Sequence, residues 1–178
     1  MRDGHRASEV VQSVKTMFSG NDQEGMLVDA NEIVRDTMAL LRDDLEAANV
    51  TVDLELFARL PPVYGHRGQL QQIVSNIITN ATDAMRAVGD RDRLLQVKST
   101  IVESSWILIS FEDSGTGIDT KNLKRIFDPF FTTKPQGMGM GLAICRSIVE
   151  AHGGSLTVSP GIPHGSVFEI ALPFAGQN

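Results

Sequence analysis

Asp113-Ser114-Gly115-Thr116-Gly117-Ile118 opens a run that continues through Phe127-Asp128-Pro129-Phe130-Phe131-Thr132-Thr133-Lys134 to Gly137-Met138-Gly139-Met140-Gly141-Leu142. Two glycine boxes thus flank a phenylalanine-rich segment. Glycine lets backbone N–H groups approach an anion closely and adopt positive φ, and a helix beginning directly after the second box aims the positive end of its dipole at that anion. One such box is a weak signal. Here two occur in order, roughly 20 residues apart, the first led by a carboxylate and the second preceded by a lysine; chance rarely supplies this, and it predicts a nucleotide site with a movable cover.

Working outward, Ile107, Ile109 and Phe111 alternate along a predicted strand, and by the same alternation Asp113 falls on their inward face. An inward carboxylate must be solvated or hydrogen-bonded, and the exocyclic amino group of adenine is a fitting donor that guanine does not present there. Taken alone, Asp-Ser-Gly reads as an ordinary loop turn. Upstream, a helix predicted from about Gly68 to Val88 gathers Leu70, Ile73, Val74, Ile77, Ile78, Ala81 and Met85 on one side, with Gln72, Asn76 and Asn80 in a row beside them. Asn80, at the edge of the apolar face, can turn its carboxamide oxygen towards Mg²⁺, a metal that takes a few protein oxygens and leaves its other positions to phosphate and water. An asparagine row is otherwise a solvated helix face; the glycine boxes downstream favour the ligand. Phe127, Phe130 and Phe131 around Asp128-Pro129 read as an apolar clasp, which plain core packing would also satisfy. Thr132 to Met138 reads as a lid over phosphates, with Lys134 as its charge contact.

The 178 residues, 42% of them hydrophobic, suffice for one substantial core. A formal net charge of −6 with sixteen scattered Lys and Arg leaves no basic stripe for a run of phosphates, so nucleic acid is not an expected partner. The single cysteine, Cys145, lies in an apolar helical pattern beside Ile144 and Ile148 and reads as a buried, inert thiol in a reducing compartment. No apolar run approaches the ~20 residues of a membrane span, so no direct membrane contact and a cytoplasmic location are expected of this segment, whatever anchors a longer parent.

Ala7, Val10, Val11, Val14, Met17 and Phe18 form an amphipathic helical stripe that Ser19-Gly20-Asn21-Asp22 interrupts, placing a helical stub at 1–20 and the main domain at 21–178. Asp29 and Glu32 predict a capping box for a helix through about Ala47. Strands are expected near Val50 to Phe57, Leu94 to Val102, Trp106 to Glu112, Ser155 to Val158 and Ser166 to Leu172. A helix from about Met140 to Ala151 is expected to end at His152-Gly153-Gly154 in a left-handed cap. The order implies an α+β fold: a two-layer α/β sandwich with a mixed, mainly antiparallel sheet and helices on one face, plus the N-terminal helical stub.

These motifs together resemble the ATP-binding catalytic domain of bacterial sensor histidine kinases, in the superfamily shared with DNA gyrase, MutL and heat-shock chaperone ATPases, whose fold is of the Bergerat type. Gln72 to Ala84 resembles the family's N box, Asp113 to Ile118 its first glycine box, Phe127 to Phe131 its F box and Gly137 to Leu142 its second glycine box, over about residues 25–173. Phe131-Thr132-Thr133-Lys134-Pro135 and the run Ile144 to Gly154 resemble the subgroup of nitrogen-regulation and oxygen-sensing FixL-like kinases. The resemblance implies ATP and Mg as cofactors. It implies that Asn80 holds the metal, Asp113 reads adenine, Gly115 and Gly117 shape the base pocket, and Gly139, Gly141 and Lys134 surround the phosphates. The full nucleotide set is Asn76, Asp113, Gly115, Gly117, Ile118, Phe131, Thr132, Thr133, Lys134, Gly137, Met138, Gly139, Met140, Gly141 and Leu142, with Asn76, Asn80 and Lys134 as catalytic residues.

Hydrolysing members of the superfamily carry a glutamate one turn before the metal asparagine; Asn76 stands there, a poor base at neutral pH, which favours transfer over hydrolysis. Many histidine kinases carry a basic residue three after that asparagine, where this chain has Asp83. Family acceptor histidines precede an acidic residue, whereas His5 and His66 precede arginine and His152 and His164 precede glycine. The acceptor is therefore expected on a separate phosphoacceptor domain, with the stub as the tail of its dimerisation hairpin. Implied partners are that domain, a response regulator receiver domain and a second copy in a homodimeric parent. Two alternatives stand beside this reading: an anti-sigma-type serine kinase or gyrase-like ATPase, and a non-catalytic nucleotide-binding regulatory module.

Overall fold

In the computed structural model, which describes residues 25–103, 105–134 and 137–174, strand alternation sorts the sheet into two faces. The elements run β1 (Met26–Val28), α1 (Ala30–Leu40), α2 (Arg42–Ala47), β2 (Val50–Leu56), β3 (Val63–Gly65), α3 (Arg67–Arg86), β4 (Arg93–Val102), β5 (Trp106–Asp113), α4 (Gly141–Ala151), β6 (Ser155–Pro160) and β7 (Ser166–Pro173). The main sheet has the order β2-β4-β5-β7-β6, with β2 parallel to β4 and the other neighbours antiparallel. The expected mixed, mainly antiparallel sheet is thus present. The stub at 1–20, and with it the proposed domain boundary, lies outside the described residues.

On β5, Ile107, Ile109, Phe111 and Asp113 are buried while Trp106, Leu108, Ser110 and Glu112 are partly exposed. Leu95 and Val97 of β4, Phe168, Ile170 and Leu172 of β7 and Leu156 of β6 join the buried face, and the helices pack over it. α3 runs through the middle of this layer, against α1, α4 and β5. Its Ile73, Ile77, Ile78 and Met85 are almost fully buried, and each such side chain stabilises the fold by roughly 1.5–3 kcal/mol relative to exposure. The polar row on the same helix is thereby held in a fixed direction.

Asp29 caps α1, accepting from the N–H groups of Asn31 at 2.8 Å and Glu32 at 3.2 Å. The reciprocal half of the predicted capping box is replaced by an ion pair of Glu32 with Arg67, 3.3 Å away. The single helix expected through Ala47 is two, broken at Leu41. Just before the break, the Thr37 hydroxyl donates to the Ile33 carbonyl at 2.7 Å, a side-chain competitor that bends helices. α4 ends as expected: Gly153 has φ +72° and the Gly154 N–H donates to the Val149 carbonyl at 2.9 Å.

Candidate functional site

Asp113 ends the inward row of β5 and is 4% exposed. Its Oδ1 accepts from the Gly115 N–H at 2.8 Å. Burial pushes the carboxyl up to about 6; hydrogen bonds from Gly115 and from the backbone and hydroxyl of Ser166 work against that rise. The first glycine box folds back onto the last turn of α3. A Cβ on Gly115 would lie 2.7 Å from Asp113 Oδ1 and 2.8 Å from Ala84, and the Thr116 N–H donates to the Ala84 carbonyl at 3.3 Å. Gly117 takes φ +74°. Gly165, at φ +85°, runs so close to the Asp113 carbonyl that a Cβ would meet it at 1.7 Å. Gly165, Ser166 and Ala84 were not among the residues predicted for this site. Ser166 becomes visible only through the β5–β7 register, where it pairs with Asp113.

The second half of the site lies one to two turns earlier on α3. Asn76 donates its amide to Cys145 Sγ at 3.4 Å, and a Cβ on Gly141 would sit 3.8 Å from the Asn76 carboxamide. Cys145 is fully buried, which pushes its thiol up to about 11 and leaves it an inert packing partner, as the sequence predicts. α4 begins at Gly141 with Met140 at its cap, and no side chain among the described residues bonds its first N–H groups. Those donors and the helix dipole face outward from the second glycine box, an arrangement suited to an anion. Lys134 reaches across to α3: its Nζ donates to Asn80 Oδ1 and to Asp83 Oδ2, each at 2.8 Å. A cation therefore stands at the Asn80 oxygen, so the donor set fits a metal ion there.

Phe127 and Phe131 pack against the core, with Arg146 over the first ring at 5.6 Å and Arg125 over the second at 4.7 Å. Phe130 departs from the expected clasp: it is 75% exposed and has φ +67°. Its backbone instead joins the segment to the second box, the Phe130 N–H donating to the Gly139 carbonyl at 2.9 Å. Gly139, at φ +68°, passes so near that a Cβ would lie 2.5 Å from the Phe130 carbonyl carbon, so a larger residue cannot replace it without displacing the backbone. Ile118, Met140 and Leu142 are half-buried against the core. Thr132, Thr133, Lys134 and Gly137 are exposed and Met138 half-buried; the predicted lid residues 135 and 136 lie outside the described set.

Residues 65–176 match the family model described as histidine kinase-, DNA gyrase B- and HSP90-like ATPase. The sensor protein TdiS of Thauera aromatica is 36% identical over 94% of this chain and 31% of its own length. The sensor protein FixL of Bradyrhizobium diazoefficiens is 30% identical over 97% of the chain and 34% of its own length. The chain thus spans about a third of each of these relatives. Among solved structures, the nucleotide-free catalytic domain of histidine kinase ThkA matches with TM-score 0.75 and 28% identity, over 85% of this chain and 98% of that one. ThkA in complex with the response regulator protein TrrA shares the fold, with TM-score 0.75 at 24% identity over 97% of this chain and 49% of that one.

Proposed function

The chain belongs to the family of histidine kinase-, DNA gyrase B- and HSP90-like ATPases and is homologous to sensor histidine kinases, and from that premise we propose that it binds ATP with Mg²⁺ and presents the γ-phosphate to a histidine carried on a separate domain. The observation that carries the adenine end is the buried Asp113 carboxylate. One of its oxygens is engaged by Gly115, and burial makes an added donor from a purine amino group favourable. Gly115 and Gly117 allow the chain to pass close beside the base. At the other end, the uncapped first turn of α4, Gly139, Gly141 and Lys134 would hold the phosphates, and Asn80 the metal. Bound there, Mg²⁺ would supply charge neutralisation of the phosphoryl oxygens.

The protein's own residues contribute position and electrostatics, not acid–base chemistry. Asn76 stands one turn before Asn80 with its amide turned to Cys145. A carboxamide takes no proton from water at neutral pH, so hydrolysis is disfavoured relative to transfer. An imidazole from a dimerisation hairpin would then attack in line, before relay to a response regulator. Calorimetry with a non-hydrolysable ATP analogue tests this: saturable binding strengthened by Mg²⁺ is expected. Asp113→Ala should weaken it by about 1–3 kcal/mol through an unpaired adenine donor. Absence of saturable binding, or unchanged affinity in the variant, would remove the assignment.

A further inference from the structure

The carboxylate of Asp83 lies one turn beyond Asn80 on the same side of α3, and the two side chains converge on a single ammonium. Lys134 Nζ is 2.8 Å from Asn80 Oδ1 and 2.8 Å from Asp83 Oδ2. All three groups are partly exposed, with side-chain exposures of 44% for Lys134 and 36% for Asp83. The other Asp83 oxygen is reached by Arg86 at 3.4 Å. One carboxylate oxygen and one carboxamide oxygen therefore hold a cation between them. Resting on the nucleotide reading above, we propose that Asp83 is a second oxygen donor to the metal beside Asn80, and that Lys134 keeps this oxygen pair filled until the metal–nucleotide complex displaces its ammonium.

Four considerations support this. A bare carboxylate facing the place where a polyphosphate arrives would repel it, so a cation must lie between them. A hard divalent ion prefers a mixed carboxylate and carboxamide oxygen set of this kind. Once displaced, Lys134 is free to contact phosphate oxygens, so one site would exchange a single positive charge for a double one while keeping the lysine in use. Asp83 keeps Arg86 as a partner when the lysine leaves, so the exchange strands no charge.

The measurement is the gain in affinity that Mg²⁺ confers on a non-hydrolysable ATP analogue, taken as the ratio of Kd in EDTA to Kd in saturating Mg²⁺, with thermal melts as a check on folding. Asp83→Asn is expected to cut that gain about fivefold or more. Asp83→Glu should restore part of it. Lys134→Met, which removes the competing cation, should leave the gain equal to the unsubstituted protein's or larger, even if overall affinity falls. An unchanged or larger gain in Asp83→Asn would overturn the proposal, because Asp83 would then be only a tether for the lysine. A fall in Lys134→Met matching that of Asp83→Asn would also overturn it. Failure of the unsubstituted protein to bind the analogue at all would instead remove the nucleotide reading, and this inference with it.

Discussion

At the scale of single residues, Asp113 is held under opposing demands. Its burial favours the neutral acid, whereas the hydrogen bond from a purine amino group proposed above would favour the carboxylate. With the folded-state value raised from 3.8 to about 6, the folded protein keeps a proton between those limits that the unfolded chain releases. The stability this group contributes is therefore fully present below about pH 4 and lost as pH rises through 6. Chemical denaturation at pH 4.5 and 7 should show the unsubstituted protein losing stability relative to Asp113→Asn by about 2 kcal/mol. An equal pH response of the two proteins would count against the shift. Affinity for the ATP analogue should move the opposite way, strengthening as pH rises through 6, and Asp113→Asn should lose that dependence. The positions of Asn76, Asn80 and Asp113 could be read from the chain because each is fixed by a local period, and the glycine boxes from their order and spacing. The Lys134 contacts could not, because they depend on how a loop folds across to a helix 54 residues earlier.

At the scale of elements, a buried polar relay ties α1 to the main sheet. Asn31 donates to the Phe57 carbonyl at 2.9 Å and accepts from the Ser99 hydroxyl at 2.7 Å, while Ser99 Oγ accepts from the Phe57 N–H at 2.9 Å. Asn31 and Ser99 are both buried, so losing one member leaves the others without solvent to replace it. Asn31→Ala should destabilise the fold by about 2–3 kcal/mol in urea denaturation. A loss below about 0.5 kcal/mol would mean that water replaces the amide. Long periodic elements such as α3 and β5 were legible to within a residue or two, since their apolar spacing admits one reading. β1 and β3 were not: at three residues each, with Leu27 and Tyr64 exposed at their centres, they carry no period to detect. Nor does any local signal announce that β2 runs parallel to β4, because that pairing depends on where the chain returns after α3.

At the scale of the whole molecule, one layer of helices serves as both core and floor of the site, and none of the chain's histidines carries the neighbour expected of an acceptor. Incubated with radiolabelled ATP, the chain should therefore remain unlabelled by itself and transfer phosphate to an added dimerisation hairpin containing the acceptor histidine. Labelling of the chain on its own histidines would contradict this. α3 has a further consequence. The helix that presents Asn76, Asn80 and Asp83 is also the one whose opposite flank is sealed into the interior, so this part of the proposed site cannot come apart before the core does. On heating, release of a fluorescent adenine nucleotide and loss of circular dichroism should trace one curve with one midpoint; separation of the two would show that recognition resides in a unit that comes apart alone.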